Sequence, residues 1–282
     1  MIVVTGATGQ LGQLVIKALL KKVPAVSIVA AVRNVDKAKD IAALGVQVRQ
    51  ADYTQPASWD SALKGASKVL LISSSEVGQR ATHHKAVIDA AKRAGVKLLA
   101  YTSVLRADTS PLGLAIEHKE TEDYLRASGV PFTLLRHGWY AENYTAGIPS
   151  ALAHGVVFGA AGDGRISSAT RADYAEADAV VLTSENQAGK VYELAGDTAY
   201  TLTEFAAEIA RQSGKAIGYV NLPEAEYKKA LLGAGLPEFL AELLANSDTG
   251  VSKGGLFDDG KQLSKLIGRS TTALAEAVKK AL

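Results

Sequence analysis

The 282-residue chain contains no cysteine, and this absence removes several classes of chemistry at once. Disulfide bonds, a thiol nucleophile and thiolate metal ligands all require that residue. The amino terminus has no basic segment before its short apolar run, which is not the pattern of a secretory signal peptide. Together with the missing cysteine, which suits a reducing compartment, this pattern predicts a cytoplasmic protein.

The sequence also lacks a long apolar run and a block of charge of one sign. No stretch approaches the roughly 20 apolar residues that span a bilayer, so we expect no insertion into a membrane. The 31 basic and 29 acidic residues are interspersed and leave a formal net charge of +2. Nucleic-acid-binding proteins usually carry a basic stripe or tail. We therefore expect no nucleic-acid partner, and the sequence leaves the oligomeric state open.

What the chain does contain is a regular alternation of short β-branched segments and helical patterns. Strands are predicted near residues 2–5, 27–32, 46–49, 68–73, 98–102 and 131–135, with a helix after each of the first five. Six such units predict an α/β fold with a Rossmann doubly wound parallel sheet. After Arg136 the alternation breaks. We expect residues 136–282 to form a smaller α/β C-terminal lobe that binds substrate and packs on the carboxyl edge of the sheet.

The second half still carries local patterns. The glycine-rich segment 155–164 predicts a loop or hairpin, and residues 191–194 predict a strand. Thr201 followed by Glu204 is the pattern of a capping box at the start of a helix. A second glycine-rich loop is expected over residues 250–260.

A glycine-rich turn from Gly6 to Gly12 separates the first strand from the first helix. Its spacing is Gly-x-x-Gly-x-x-Gly rather than the commoner Gly-x-Gly-x-x-Gly. Glycine permits a tight turn and a close approach of the backbone to a pyrophosphate, and N–H groups at a helix start favour anions. A plain strand-to-helix turn is the alternative. Because the turn lies inside a βαβ unit, we predict a dinucleotide site.

The end of the second strand indicates which dinucleotide binds. NAD-preferring sites usually carry Asp or Glu there, which holds the ribose 2′-hydroxyl. This chain has Arg33, and a permanently charged guanidinium suits a 2′-phosphate, although a solvated surface arginine is the alternative. We predict NADPH as the cofactor and residues 1–135 as the NADPH-binding Rossmann domain. Asp52, after the third strand, either hydrogen-bonds the adenine or serves as a turn residue.

Two further segments end predicted strands. The small residues Ser73 to Ser75 end the fourth strand and are expected beside the cofactor, although such residues also form turns. After the sixth strand, Trp139, Tyr140 and Tyr144 suit stacking on a flat ring, and Asn143 suits polarising a carbonyl oxygen. An aromatic plug between the two lobes is the alternative for this segment.

The residues quoted above carry a family resemblance over essentially the full length. The segments are VTGATGQLG at 4–12, AVRN at 31–34, LLISSSEVGQRA at 70–81, AYTS at 100–103, TLLRHGWYAENY at 133–144, GAAGDGRISSATRADYA at 159–175 and SKGGLFDD at 252–259. They resemble the NmrA-like group of atypical short-chain dehydrogenases, most strongly its bacterial NADPH-dependent quinone oxidoreductases, with triphenylmethane dye reductases more distant.

The resemblance implies a set of cofactor contacts: Gly6, Ala7, Thr8, Gly9, Gln10, Leu11, Arg33, Ser73, Ser74, Ser75, His137, Gly138, Trp139, Tyr140, Ala141, Glu142 and Ser168. His137 departs from the pattern, because the similar proteins carry Asn there. An imidazole can still donate a hydrogen bond there, with a geometry near the nicotinamide that differs from that of Asn.

Typical short-chain dehydrogenases use a Tyr-x-x-x-Lys pair, with the tyrosine as general acid. Lys119 lies in a plausible place, but position 115 is Ala. A quinone accepts hydride readily and water can protonate the product, so the missing tyrosine favours an NADPH-dependent oxidoreductase that transfers hydride to a quinone. Tyr140 and Asn143 are the candidate catalytic residues. The alternative is a non-catalytic NADP(H)-binding redox sensor of the NmrA-like type.

Two side-chain groups are predicted to have no catalytic role. The histidines lack convincing metal-ligand spacing, so no metal site is expected. Lys119 is interpreted as a solvated helix residue. With Arg126 and three glutamates it predicts an exposed helix face, the glutamates being Glu117, Glu120 and Glu122.

Overall fold

The computed structural model describes residues 1–282, which form two compact units. The first unit contains Met1–Val104, Glu117–His137 and Arg171–Tyr192, and the second contains Leu105–Ile116, Gly138–Thr170 and Glu193–Leu282. Each unit is thus assembled from three separate stretches of chain. The domain division at residue 135 stays a prediction.

The strands, numbered in chain order, are β1 (Ile2–Val4), β2 (Ile28–Val32), β3 (Gln47–Gln50), β4 (Lys68–Leu71), β5 (Leu98–Val104), β6 (Phe132–His137), β7 (Val156–Gly159), β8 (Val191–Leu194) and β9 (Gly218–Asn221). Seven of them form one sheet in the order β3-β2-β1-β4-β5-β6-β8. The pairings from β3 through to β6 are all parallel. The Rossmann fold predicted from the sequence is confirmed.

The helices are α1 (Gln10–Leu19), α2 (Lys39–Ala43), α3 (Ser58–Ala62), α4 (Arg80–Arg93), α5 (Ala115–Ser128), α6 (Ala141–Thr145), α7 (Ile148–His154), α8 (Arg171–Thr183), α9 (Leu202–Ser213), α10 (Glu224–Gly233), α11 (Glu238–Ser252), α12 (Gln262–Ile267) and α13 (Leu274–Ala281). Short 3-10 turns cover Ala25–Ser27 and Val35–Ala38. No helix is both long and apolar enough to cross a membrane.

The central strands are continuous apolar runs because both faces of the sheet are covered. Every residue of β1, β2 and β5 is buried. On one face the core of the first unit gathers Val3, Val69, Leu99 and the fully buried Trp59. β1 lies between β2 and β4, with Val3 opposite Val29 and Val69. The strand order therefore reverses at β1, which is where open α/β sheets bind ligands.

The second unit has its own core and corrects two local predictions. Phe205, Ile209 and Trp139 belong to this core. Segment 155–164 is not a hairpin, because β7 pairs in parallel with β9, a strand 62 positions further along (Val156 opposite Gly218). The loop expected from residue 250 is shorter, because α11 continues to Ser252.

The capping box at the start of α9 is formed as predicted. The Thr201 side chain accepts a hydrogen bond from the Glu204 N–H at 3.1 Å, and the Glu204 carboxylate accepts one from the Thr201 N–H at 2.7 Å. Two N–H groups that the helix itself leaves unpaired are thereby satisfied.

Replacing Thr201 with Ala is expected to lower the free energy of unfolding by about 1 kcal/mol, because the Glu204 N–H loses its partner. The measurement is urea unfolding followed by circular dichroism. Thr203→Ala is the matched control, since Thr203 is exposed and lies two residues further into the same helix. Equal stability of the two variants would contradict a contribution from the cap.

Candidate functional site

The turn between β1 and α1 is shaped by the absence of side chains. Gly6 has a φ of +57°, in the left-handed region that favours glycine. A Cβ on Gly12 would lie 2.5 Å from the Gly6 carbonyl oxygen and 2.8 Å from the Ala7 Cα. The first turn of α1 therefore lies directly against the turn backbone, and only glycine fits at position 12.

The amino terminus of α1 suits an anion. Gly9 is its N-cap and offers no side-chain cap, and the first turn carries no acidic residue. The positive end of the helix dipole is thus not neutralised by a local side chain, and backbone N–H groups at such a position bind phosphates. These observations fit a dinucleotide pyrophosphate on Gly6, Ala7, Thr8, Gly9, Gln10 and Leu11.

Arg33 follows β2 and is exposed, with 73% of its side chain accessible. Its Nη1 lies 3.6 Å from Oε1 of Glu76, which follows β4. Asp52 is a turn residue, since its Oδ1 accepts hydrogen bonds from the Thr54 N–H and hydroxyl. The hydrogen bond from the Thr54 backbone is the main reason that the pKa of Asp52 is lowered.

Side chains from the first turns of α4 hold the segment Ser73–Ser75 by hydrogen bonds to Ser74. The Ser74 N–H donates to His84 Nε2 at 2.9 Å, the Ser74 carbonyl accepts from Arg80 Nε at 2.8 Å, and the Ser74 hydroxyl lies 3.2 Å from His83 Nδ1. The Ser73 N–H donates to the Thr102 hydroxyl at 2.9 Å. Ser74 is buried, whereas Ser75 is exposed.

His84 acts as a neutral acceptor in this network. Because a backbone N–H can only donate, Nε2 carries the lone pair and Nδ1 carries the proton. Nδ1 therefore donates to the Thr121 hydroxyl, which in turn donates to the Glu117 carbonyl. Burial lowers the pKa of His84 to about 3, with the nearby Arg80 adding to the shift. The imidazole is uncharged at neutral pH.

Sequence reasoning missed these supporting residues. The sequence pattern offers the histidines only as metal ligands with unconvincing spacing, and no group of three or more His, Asp or Glu side chains is placed to hold a metal ion. The available signal was an arginine and two histidines at the start of the helix that follows a serine-rich strand end. Their targets are backbone groups of Ser74, which side-chain patterns do not reveal.

His137, at the end of β6, is buried against α8. Its Nε2 lies 2.9 Å from Oδ1 of the fully buried Asp178, and its ring stacks on Tyr174 with centroids 4.5 Å apart. One imidazole nitrogen thus has a carboxylate partner. Cofactor contact at His137 stays a prediction.

The remaining predicted residues belong to the second unit. Ala141 begins α6, and its N–H donates to the Ala169 carbonyl, while the Ala169 N–H donates to the Trp139 carbonyl. The Ser168 hydroxyl lies 2.7 Å from the Tyr200 hydroxyl. The segment 139–141 is therefore held beside the segment that contains Ser168. The Gly138 N–H donates to the Leu194 carbonyl.

The aromatic residues of this segment differ in exposure. Trp139 is buried in the core of the second unit, and Tyr144 packs against that core while its hydroxyl donates to Asp248 at 2.9 Å. Tyr140, Glu142 and Asn143 are partly exposed. Tyr144 is partly exposed as well. Stacking on a ligand by Trp139 and Tyr144 stays a prediction.

A cavity of about 380 Å³ lies in the second unit, and no sequence pattern indicates it. Ala141 and Ser168 line it together with Tyr200, Lys261 and Asp197. Asp197 joins two loops, because its N–H donates to the Thr271 hydroxyl and its Oδ2 accepts from the Thr271 N–H. Two residues predicted to contact the cofactor thus share a cavity wall.

The charged residues of α5 divide into two groups. Lys119 is half exposed and paired with Asp123, which agrees with its interpretation as a surface residue. Glu122 was expected on the same exposed face but is buried. Its two oxygens bind Arg136 of β6 at 2.9 and 2.6 Å, and the Ser103 hydroxyl donates to it at 2.6 Å. The predicted pair of Glu122 with Arg126 of the same helix is formed at 3.4 Å. The predicted exposure of Glu122 is wrong, because Arg136 and Ser103 on other elements bury its carboxylate.

The fold and the glycine turn define an α/β protein of the Rossmann type. Residues 1–280 match the family described as NmrA-like. The chain therefore belongs to the NmrA-like family, and the resemblance stated from its sequence is confirmed.

Named relatives are similar over nearly the whole chain. Quinone oxidoreductase 2 of Escherichia coli (strain K12) is 64% identical over 278 residues, covering 99% of this chain and 97% of the relative. A crystal structure of an NADPH-dependent quinone oxidoreductase from Escherichia coli, complexed with NADPH, has a TM-score of 0.97 at 63% identity and covers 99% of both chains. The triphenylmethane reductase of Citrobacter sp., complexed with NADP(H), has a TM-score of 0.96 at 42% identity and covers 100% of both chains.

Replacing Gly12 with Ala is expected to lower the free energy of unfolding by about 1–3 kcal/mol, because the added methyl overlaps backbone atoms that cannot rotate away. NADPH affinity is expected to fall as well, since the turn must shift. Urea unfolding and fluorescence titration with NADPH measure the two effects. Gly233→Ala is the control, because nothing lies within 4 Å of a Cβ there. Wild-type stability and affinity in Gly12→Ala would refute the steric argument.

Stability is expected to depend on pH through His84. The pKa of His84 is about 3 in the folded protein, and 6.5 is the value of an ordinary imidazole, which applies to the unfolded chain. Between these two pH values the unfolded chain binds one more proton than the folded protein. The stabilisation is complete above the unfolded pKa and is lost as the pH falls toward the folded pKa. In His84→Gln, the fall of unfolding free energy between about pH 6 and pH 4 is expected to be shallower by about 1.4 kcal/mol per pH unit.

Urea unfolding across this pH range measures the slope. His154→Gln is the matched control, because His154 is exposed. The same slope in His84→Gln and wild type would contradict a neutral buried imidazole at this position.

Proposed function

We propose that this protein is an NADPH-dependent oxidoreductase that transfers hydride from the cofactor to a quinone. The observation that carries the proposal is the 64% identity with Quinone oxidoreductase 2 of Escherichia coli over 99% of this chain. The match to a quinone oxidoreductase structure solved with NADPH supports it, as does a glycine turn built for a pyrophosphate. These similarities favour the enzyme over the redox-sensor alternative. A cytoplasmic location belongs to the proposal.

The first unit offers groups for each charged part of the cofactor. Backbone N–H groups of Gly6–Leu11 and the α1 dipole bind the pyrophosphate. The exposed guanidinium of Arg33 binds the 2′-phosphate in a bidentate manner. Ser73–Ser75 line the cofactor, and their backbone is rigid because α4 holds Ser74 on three sides. The bound cofactor supplies the hydride, and the protein supplies position and orientation.

The reaction needs no tyrosine acid. Position 115 is Ala, and Lys119 is engaged with Asp123 on the surface. A quinone that receives hydride becomes a stable hydroquinone anion, and a proton from water completes the product. A ketone would need an acid in place during hydride transfer, so this chain is suited to quinone-like, electron-poor acceptors.

The roles of the second unit are carried over from the family resemblance. Tyr140 and Asn143 are proposed to contact the acceptor, and both side chains are partly exposed. Cofactor contacts at His137, Gly138, Trp139, Ala141, Glu142 and Ser168 remain part of the proposal.

The function is tested by following NADPH oxidation at about 340 nm with 1,4-benzoquinone as acceptor. Wild type is expected to turn over NADPH. Gly9→Asp is expected to lose turnover, because its carboxylate occupies the site of the pyrophosphate and repels it. Arg33→Ala is expected to weaken the binding of NADPH by about 10-fold or more and to leave the binding of NADH nearly unchanged, since only NADPH carries the 2′-phosphate.

Lys21→Ala, an exposed lysine beyond the end of α1, serves as the charge-matched control for Arg33→Ala. Tight NADPH binding without turnover on any quinone would overturn the enzymatic function and favour the redox sensor. Equal loss for NADPH and NADH in Arg33→Ala would refute the role of Arg33 alone.

A further inference from the structure

Two charged side chains meet across the strand that leads into the glycine turn. Arg33 directly follows β2, and Glu76 lies five residues beyond β4. β2 and β4 are the two neighbours of β1 in the sheet. Parallel strands end at the same edge and are spaced about 4.8 Å apart, so β2 and β4 are separated by about 10 Å. The 3.6 Å contact between Arg33 Nη1 and Glu76 Oε1 therefore bridges the exit of β1.

This ion pair is poorly suited to a purely structural role. The two side chains are 73% and 51% exposed. Exposed pairs contribute little to folding because water and salt screen them. A weak, solvated pair is easily exchanged. A phosphate ester, with a charge of about −1.5 to −2 at neutral pH, is a stronger partner for a guanidinium than a single carboxylate.

The imidazole of His83 also lies close to Glu76. The Glu76 Oε2 lies 3.8 Å from Nε2 of His83. His83 is buried and stacks on Tyr53 with ring centroids 5.5 Å apart, so its position is fixed. The Glu76 N–H donates to the Ser74 hydroxyl at 3.2 Å, which ties the backbone of Glu76 to the serine segment. The carboxylate therefore stays near Arg33 even when the ion pair breaks.

We propose that Glu76 is a specificity-determining residue that competes with the 2′-phosphate of NADPH for Arg33. NADPH must take the guanidinium from Glu76 and place its phosphate beside the remaining carboxylate. NADH carries a hydroxyl instead and leaves the ion pair intact. Glu76 thus lowers the affinity for NADPH selectively and limits the preference between the two cofactors. This inference rests on the proposed function, in which Arg33 recognises the 2′-phosphate.

The test is the replacement of Glu76 by Gln, which removes the charge and keeps the shape. Dissociation constants for NADPH and NADH are measured by isothermal titration calorimetry, without any acceptor. Removing one negative charge beside the dianion is expected to tighten the binding of NADPH by about 3- to 10-fold at low salt and by less at high salt. NADH is expected to change by less than about 2-fold, because it has no charge at this position.

Two companion variants separate the causes. Glu120→Gln makes the same change in net charge on α5, where Glu120 is paired with Lys85, and is expected to leave both constants unchanged. In the Arg33→Ala background, Glu76→Gln is expected to have a smaller effect on NADPH, since the guanidinium for which Glu76 competes is gone. This non-additivity is the signature of competition between Glu76 and phosphate.

The results in Glu76→Gln and in Arg33→Ala test different claims. Equal tightening of both cofactors, no change, or weaker binding of both in Glu76→Gln would overturn the competition, and weaker binding would identify the ion pair as a clamp over the adenosine. If Arg33→Ala leaves the NADPH-to-NADH ratio unchanged, the assignment of Arg33 in the proposed function fails. This result can be told apart from a failure of the Glu76 competition, because it is obtained in a variant that keeps Glu76.

Discussion

The close approach of α1 to the turn after β1 is the constraint on which the candidate site depends. A Cβ at Gly12 would overlap the Gly6 carbonyl and the Ala7 backbone, so the helix begins as near to the strand edge as a backbone permits. This contact fixes where the first N–H groups of α1 and the positive end of its dipole lie. Because β1 lies at the reversal of strand order, the same contact places those groups where a parallel sheet binds ligands.

The second element of the site, the serine segment after β4, depends on hydrogen bonds with buried side chains of α4. Ser74 is held by an arginine and two histidines, and its N–H is satisfied by an uncharged imidazole. A charged His84 would be costly in this buried position, and a missing acceptor would leave a buried N–H unpaired. The chain through Thr121 to the Glu117 carbonyl fixes the tautomer. A serine segment at a strand end can thus be rigid without contributing a net charge.

Helix α5 shows how far a periodic pattern determines side-chain environment. Lys119 and Glu122 are three residues apart on a charged helix, and the pattern predicts a common exposed face for them. Lys119 is exposed, but Glu122 lies buried in a two-bond pair with Arg136. The partner comes from β6, and the cost of burying Glu122 is offset only because that partner and Ser103 are both present. A one-helix pattern contains no information about them.

The sequence by itself determined the features that depend on neighbouring residues. These are the parallel strands read from apolar runs, the capping box at Thr201, the glycine turn and the basic residue at the end of β2. Only the tertiary structure decided the parallel pairing of β7 with β9, the partners of Glu122 and His84, and the meeting of Arg33 with Glu76. The physical reason is sequence separation: turns and caps are set by atoms a few residues apart. Strand pairing and buried ion pairs are instead set by the packing of elements that lie far apart in the chain.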